Sequence, residues 1–255
     1  MEDNFSSHEA GVHASRKKLL AAIGNTDDVT FIRADGNIGD HLIWGGTRKL
    51  LEKTGYKEIV RERLVNEPSY KGDTAIVTGG GGWCRAFHSW PEYLPLIESR
   101  FEKVVVFPTS FDTSLPIVKK ALSHTKAKVF ARERTSYKQI KDLCDGDIAY
   151  DCAFFYDFSS YIKKGKGALN AFRMDPEKEG HEPPPRYNND ISVTCQTLDA
   201  WLKMISDFDA VYTDRAHVMI GAAKLGKKVY YGTSNYHKVP AIAEFSLKDF
   251  PVYRI

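Results

Sequence analysis

The sequence predicts an α/β fold in two units of mainly parallel sheet, the second one small, facing each other across a cleft. Three observations carry that expectation. Short apolar, β-branched runs alternate with segments of helical spacing along most of the chain. Composition turns polar and rich in glycine and proline at residues 157–190, where one unit gives way to the next. The polar, glycine-bearing knots fall just after the apolar runs, and open parallel sheets bind their ligands beyond the carboxyl ends of the strands.

Taken in order, SRKKLLAAIGN reads as a helix with Ser15 as its N-cap and Gly24-Asn25 as its stop. A buried strand follows at 29–34, then a helix at 41–55 that the Gly45-Gly46 pair weakens unless something packs closely there. TAIVTGGGG (74–82) is a strand running into a glycine loop, and 91–100 a helix. KVVVFPTS (103–110) is a strand ending at its proline, SLPIVKKALSH a helix, and AKVFARE (127–133) a strand. SYKQIKDLCD is helical and DIAYDCAFF (147–155) a further short strand.

GALNAFRMD (167–175) is a strand, set between polar segments, with a poorly ordered loop around 176–189 that holds Pro183 to Pro185. A helix around TLDAWLKMIS, strand AVYT, a helix through His217, strand KKVYYG (227–232) and a tail complete the chain. In this reading residues 1–160 form an N-terminal Rossmann-like domain and 161–255 a smaller C-terminal one.

Bulk properties exclude several classes. With 42% hydrophobic and 27% charged residues, the 255-residue chain can bury a core and is not globally disordered. A net charge of +3 without a basic block argues against nucleic-acid binding, while leaving room for an anionic substrate. Cys84, Cys144, Cys152 and Cys195 form no zinc spacing and read as reduced thiols of an intracellular protein. The start MEDNFSSHEAG has no apolar segment behind it, so no secretory signal is expected. Nor does any apolar run approach the roughly 18 residues of a membrane span. The expected location is cytoplasmic, and the four cysteines, like the rest of the chain, show no ligand cluster for a metal.

Five motifs carry chemistry. Asp35-Gly36-Asn37-Ile38-Gly39-Asp40 lies between a strand and a helix, where free amides can face an anion; a plain turn with Asp40 as N-cap is the alternative. It is neither a dinucleotide fingerprint nor a P-loop. Gly79 to Gly82, before Trp83, cost backbone entropy that a close approach would offset, or form a flexible loop. Arg132, after a strand, can present its planar fork to a carboxylate or phosphate, or pair with Glu133 or another acid. Thr213 or Asp214 would cap the helix that carries Arg215 and His217 in its first turn. Two basic side chains at the positive end of a helix call for a bound anion, whereas an Asp214–Arg215 pair with a surface histidine is the plain alternative. Thr233 to Lys238, including Asn235, follow the next strand and would complete a polar cradle.

GNIGDHLIWGG, GGGGW, ARERTS, AFRMDPE, TDRAH and SNYHK occur in an order that resembles the polysaccharide pyruvyl transferase family over most of residues 30 to 240. The resemblance implies a glycosyltransferase-B-like architecture, with the donor site in the C-terminal domain. It also implies transfer of a pyruvyl group from phosphoenolpyruvate to two hydroxyls of a sugar, forming a ketal during polysaccharide biosynthesis, with no further cofactor. Arg132, Arg215 and His217 correspond to the donor-binding set, with Ala216, Asn235 and Lys238 beside them. Asn37, Gly39, Gly80, Gly81 and Gly82 are the expected substrate loops. His217 is the expected general acid, and Asp40 or Asp214 the candidate to deprotonate a hydroxyl or orient a partner.

Two departures stand out: the chain is short for the family, and Ala216 replaces the leucine common before the family's histidine. A lipid-linked acceptor would bring the protein to a membrane surface without a span. A nucleotide-sugar-dependent glycosyltransferase of the same fold, or a non-catalytic carbohydrate- or anion-binding relative, is the alternative.

Overall fold

The computed structural model of the protein describes residues 6–179 and 185–255. They divide into two compact units, one of residues up to Asp35 with Thr47–Cys152, the other of Gly36–Gly46 with Ala153–Ile255.

The first unit begins with α1 (His8–Ile23), eight residues longer at its start than the sequence suggests. Ser7 is the cap, its Oγ accepting from the Ala10 amide at 3.2 Å, and Gly24 stops the helix at φ +81°. Ser15 is instead buried in mid-helix, where its hydroxyl accepts the Tyr150 amide at 2.8 Å. The elements that follow along the chain are β1 (Val29–Arg33), α2 (Ile38–Leu50), whose part up to Gly46 belongs to the second unit, β2 (Tyr56–Val60), α3 (Glu62–Asn66), β3 (Gly72–Val77) and β4 (Gly80–Trp83). Next are α4 (Trp90–Glu98), β5 (Phe101–Phe111), α5 (Pro116–His124), β6 (Lys128–Ala131), α6 (Arg134–Ile140) and β7 (Asp145–Ile148).

The strands form one sheet in the order β2-β1-β3-β5-β6-β7, with β4 beside β5 and every described pairing parallel. Ile32, Val77, Val106 and Val129 from its strands pack with Trp83, Leu94, Phe111 and Leu122 in the core.

Three features depart from the sequence reading. β2 and α3 were not expected, because YKEIV is a polar edge strand whose Glu58 is tied to Arg33 at 2.8 Å and to Arg48 at 2.6 Å. β5 runs through Pro108 instead of ending there, and its pairing with β6 shifts register between Val106 and Thr109, an irregularity that accommodates a residue without an N–H. The glycine run is mostly strand β4, not a loop.

The second unit contains β8 (Ala168–Ala171), α7 (Ile191–Thr194), α8 (Leu198–Ser206), β9 (Ala210–Thr213), α9 (Ala216–Lys224), β10 (Lys228–Tyr231), α10 (Lys238–Ser246) and β11 (Val252–Arg254). Its parallel sheet has the order β11-β10-β9-β8, so the expected tail supplies an edge strand. Thr197 caps α8 through the Ala200 amide at 3.1 Å, and Trp201, Leu202 and Ile205 of that helix are buried. α9 buries Val218, Met219, Ile220, Ala222 and Ala223, an apolar helix of small residues that lets neighbours approach closely.

Gly36–Gly46, placed by sequence within 1–160, groups with this second unit. The small residues explain the grouping. A Cβ at Gly45 would meet the Tyr156 ring at 2.8 Å, so its absence is what lets that ring pack against the helix. Of the loop expected to be poorly ordered at 176–189, residues 180–184, with Pro183 and Pro184, lie outside the described residues; on either side Glu177 and Asp190 are buried. Among the described residues, no helix is long and apolar enough to cross a membrane, and all four cysteines are free thiols.

Candidate functional site

The second unit collects its polar side chains at the carboxyl ends of β8, β9 and β10, where parallel strands leave room and unpaired backbone groups. After β9 the chain reads Asp214-Arg215-Ala216-His217. Thr213 Oγ1 accepts the Arg215 amide at 3.0 Å, which makes Arg215 the N-cap of α9, in extended backbone. That corrects the expectation that Thr213 or Asp214 caps the helix. As N-cap, Arg215 makes no side-chain bond to the amides of α9, whose positive end carries Ala216 and His217 as its first two residues.

The Asn37–Asp40 turn meets the same place. Asn37 Oδ1 accepts the Gly39 amide at 2.8 Å, and Asp40 Oδ2 reaches back to the Asn37 amide at 3.0 Å. This reciprocal arrangement is a capping box, with Asn37 in the capping position that the sequence reading gave to Asp40. A side chain on Gly39 would come within 3.2 Å of His217 Cβ and Nδ1. The glycine thus lets the first turn of α2 approach the first turn of α9 at the histidine. Asn37, Gly39, Asp40, Ala216 and His217 are brought together within one unit.

Arg215 is held by acids, though not by Asp214. Asp190 takes its fork in two bonds, Oδ1 from Nε and Oδ2 from Nη2, both 2.6 Å, and Asp175 takes Nη2 as well at 2.8 Å. Burial works against the guanidinium charge, but the two carboxylates outweigh it and raise its pKa above the ordinary value. Among the described residues, Nη1 is taken by none of these acids.

Asp190 also accepts the Met174 amide at 3.0 Å, Asp214 the Arg173 amide at 2.8 Å, and Asn188 the Phe172 amide at 2.8 Å. Three successive amides leaving β8 are therefore fastened by side chains from two other segments of the unit, 188–190 and the turn after β9. Burial pushes the Asp214 carboxyl above the usual range, against the opposing effect of the Arg173 amide.

Arg173 and Lys238 share the buried carboxylate of Glu177. Burial alone would raise that carboxyl, yet Lys238 and Arg173 hold it down at about 2. Lys238, expected in the donor cradle, is thus committed to Glu177. Asn235 is committed to the same segment, its amide donating to the Glu177 carbonyl and its Nδ2 to the Pro176 carbonyl, each at 3.2 Å. Arg173, Asp175 and Glu177 lie in the AFRMDPE stretch that carries the family resemblance, but the sequence reading gave them no role and ran its strand through Asp175, whereas β8 ends at Ala171; Asp190 was not singled out.

In the first unit, Arg132 donates from Nη1 to Asp151 at 2.9 Å and from Nε to Ser110 at 2.8 Å, with Arg132 and Asp151 each only 1% exposed. The neighbouring acid is Asp151; Glu133 instead caps α6 through the Ser136 amide at 2.9 Å. Two members of the glycine run meet protein directly. A Cβ on Gly79 would run into the Pro108 carbonyl and one on Gly82 into the Trp90 indole, while Gly80 has φ +124°. Among the described residues, no group of His, Cys, Asp and Glu is arranged to hold a metal ion.

Fold and site together define an α/β protein with a polar site at the carboxyl ends of a parallel sheet. The sequence model of the polysaccharide pyruvyl transferases matches residues 37–234, from the Asn37 turn to the loop after β10, and the chain belongs to that family of transferases. Among solved structures, it is similar to a functionally uncharacterised protein of Klebsiella pneumoniae subsp. pneumoniae. The two are 24% identical with a TM-score of 0.75, over 94% of this chain and 96% of that one, which shows a shared fold. No curated protein matches the sequence.

Proposed function

We propose that the protein transfers the pyruvyl group of phosphoenolpyruvate to two hydroxyls of a sugar, forming a cyclic ketal and releasing phosphate. The observation that carries this reading is the first turn of α9, with Arg215 ahead of it and His217 within it, set against the Asn37–Gly39 turn. A helix N-terminus and an arginine edge suit a donor that bears a carboxylate and a phosphate. The glycosyltransferase-B-like architecture and donor roles for Arg132 and Ala216 belong to this reading and rest on the family resemblance. An acceptor on a lipid carrier would bring this work to the cytoplasmic face of a membrane.

In the reaction, His217 gives a proton to the methylene carbon of the donor, which becomes the methyl group. The adjacent carbon turns electrophilic and takes a sugar hydroxyl, whose proton passes to a base, Asp40 or Asp214. The carbon–oxygen bond to phosphate then breaks with its electron pair on the phosphate. A second hydroxyl attacks the same carbon and closes the ring, losing its proton in turn. One hydroxyl proton ends on the methyl group in the net balance and the other on phosphate.

The test is phosphate release from phosphoenolpyruvate against galactosyl, glucosyl and mannosaminyl acceptors. His217→Ala should lower turnover by roughly 10²- to 10⁴-fold, the usual contribution of a general acid. Full turnover in that variant removes the role given to His217. Stabilisation by a nucleotide sugar and not by phosphoenolpyruvate would point to a glycosyltransferase instead.

A further inference from the structure

The buried charges behind Arg215 do not balance as an anion site should. Arg173, Arg215 and Lys238 face Asp175, Glu177 and Asp190, three cations against three carboxylates, with Asp214 close behind. The carboxylates are not equivalent. Glu177 and Asp190 are 1% and 4% exposed and between them engage all three cations. Asp175 is 23% exposed, the most open member of the network, and it spans the two arginines, 2.8 Å from Arg215 Nη2 and 3.1 Å from Arg173 Nε, the latter an ion-pair approach without hydrogen-bond alignment.

Removing Asp175 would leave every cation still paired, Arg215 with Asp190 and the other two with Glu177. What it would expose is one uncompensated positive charge on the solvent side, spread over two arginine edges. A carboxylate bridging two guanidinium groups is also the geometry in which a carboxylate or phosphate ligand is commonly held.

We propose that Asp175 is an internal competitor for the anionic donor. Its carboxylate bridges Arg173 and Arg215, and it must swing out before the carboxylate or phosphate of a donor can be held there. Asp175 thereby sets donor affinity and specificity, since a weakly charged ligand cannot displace it. This rests on the donor reading given above. Its own chain position permits the movement. Asp175 follows Met174, which is 62% exposed; the Asp175 carbonyl accepts the Lys178 amide at 3.0 Å, and beyond the arginines its carboxylate is held by a 3.1 Å bond from the Glu177 amide.

The test compares equilibrium binding of phosphoenolpyruvate and of inorganic phosphate to the wild-type chain, Asp175→Asn and Asp175→Ser at low salt. The amide keeps the size and loses the charge; the serine removes the bridge altogether. Both variants should bind phosphoenolpyruvate about fivefold more tightly, the scale of a partly exposed ion pair, with the gain shrinking in high salt. Asp190→Asn should shift affinity the other way, because it disorders the Arg215 fork. Wild-type binding with unchanged or weaker binding in both Asp175 variants overturns the inference and leaves the donor reading standing. Tighter phosphate binding by the variants, with no turnover of phosphoenolpyruvate by any chain, upholds the competitor and removes the donor reading. No binding of either anion to any of them overturns both.

Discussion

At the scale of single residues, Arg215 illustrates how a charged side chain is made specific. Its fork is fixed by Asp190 through two bonds of 2.6 Å, in a site where the guanidinium is almost wholly buried. An ammonium cannot satisfy both carboxylate oxygens from one point on a flexible stem. Arg215→Lys should therefore lose about 2 kcal/mol of stability, the scale of a buried hydrogen bond to a charged group. It should also weaken phosphoenolpyruvate binding at least about tenfold, a loss of roughly 1.4 kcal/mol. Thermal melting and calorimetric titration check the two effects, and donor affinity equal to wild type would sink the assignment of Arg215 to the donor. His217 differs in kind. It is placed by the glycine opposite it as much as by its own helix.

At the scale of elements, the glycines decide how closely strands and helices approach. Gly39 admits His217, Gly45 admits Tyr156, and the 79–82 run fits between Pro108 and Trp90. Gly79 faces a backbone carbonyl, which cannot rotate aside as a side-chain end can. Gly79→Ala should destabilise the first unit by roughly 2 kcal/mol, in the range of overpacked core positions. Denaturant unfolding would show it, and a change below about 0.5 kcal/mol, the level of a neutral surface substitution, would mean the β4 approach is loose. The run was legible as a place of close approach, but not what approaches: Pro108 lies in a different strand, far along the chain.

At the scale of the whole molecule, the buried ionic network makes stability depend on acid. Glu177 is held at about 2 against an ordinary 4.5, because Lys238 and Arg173 outweigh its burial. A depressed carboxyl stabilises the fold fully above its unfolded value. That contribution, roughly 3 kcal/mol, is lost as pH falls from about 4.5 towards 2. Glu177→Gln should be less stable at neutral pH, with a flatter loss of stability over that window. Chemical denaturation at a series of pH values measures the slope, and an unchanged slope would show that Glu177 carries no such linkage.

The alternation of apolar runs with helical spacing was enough to expect parallel α/β units, since burial on both faces of a parallel strand leaves a continuous apolar signature. The ends of β6 and β9 were legible for the same reason, and with them the positions of Arg132, Arg215 and His217, whereas the ends of β5 and β8 were not. Residues whose role depends on a distant partner were not. Asp190 and Glu177 read as loop polarity because Arg215, ahead of α9, and Lys238, in α10, reach them from far along the chain. Asn37–Gly46 read as part of the first unit because nothing local says that Tyr156 and His217 will pack on it. Sequence by itself determined the elements and the polar residues that follow them, through local periodicity and turn chemistry. Only the tertiary structure decided which charge meets which, because pairing energy depends on separations and burial that no stretch of chain contains.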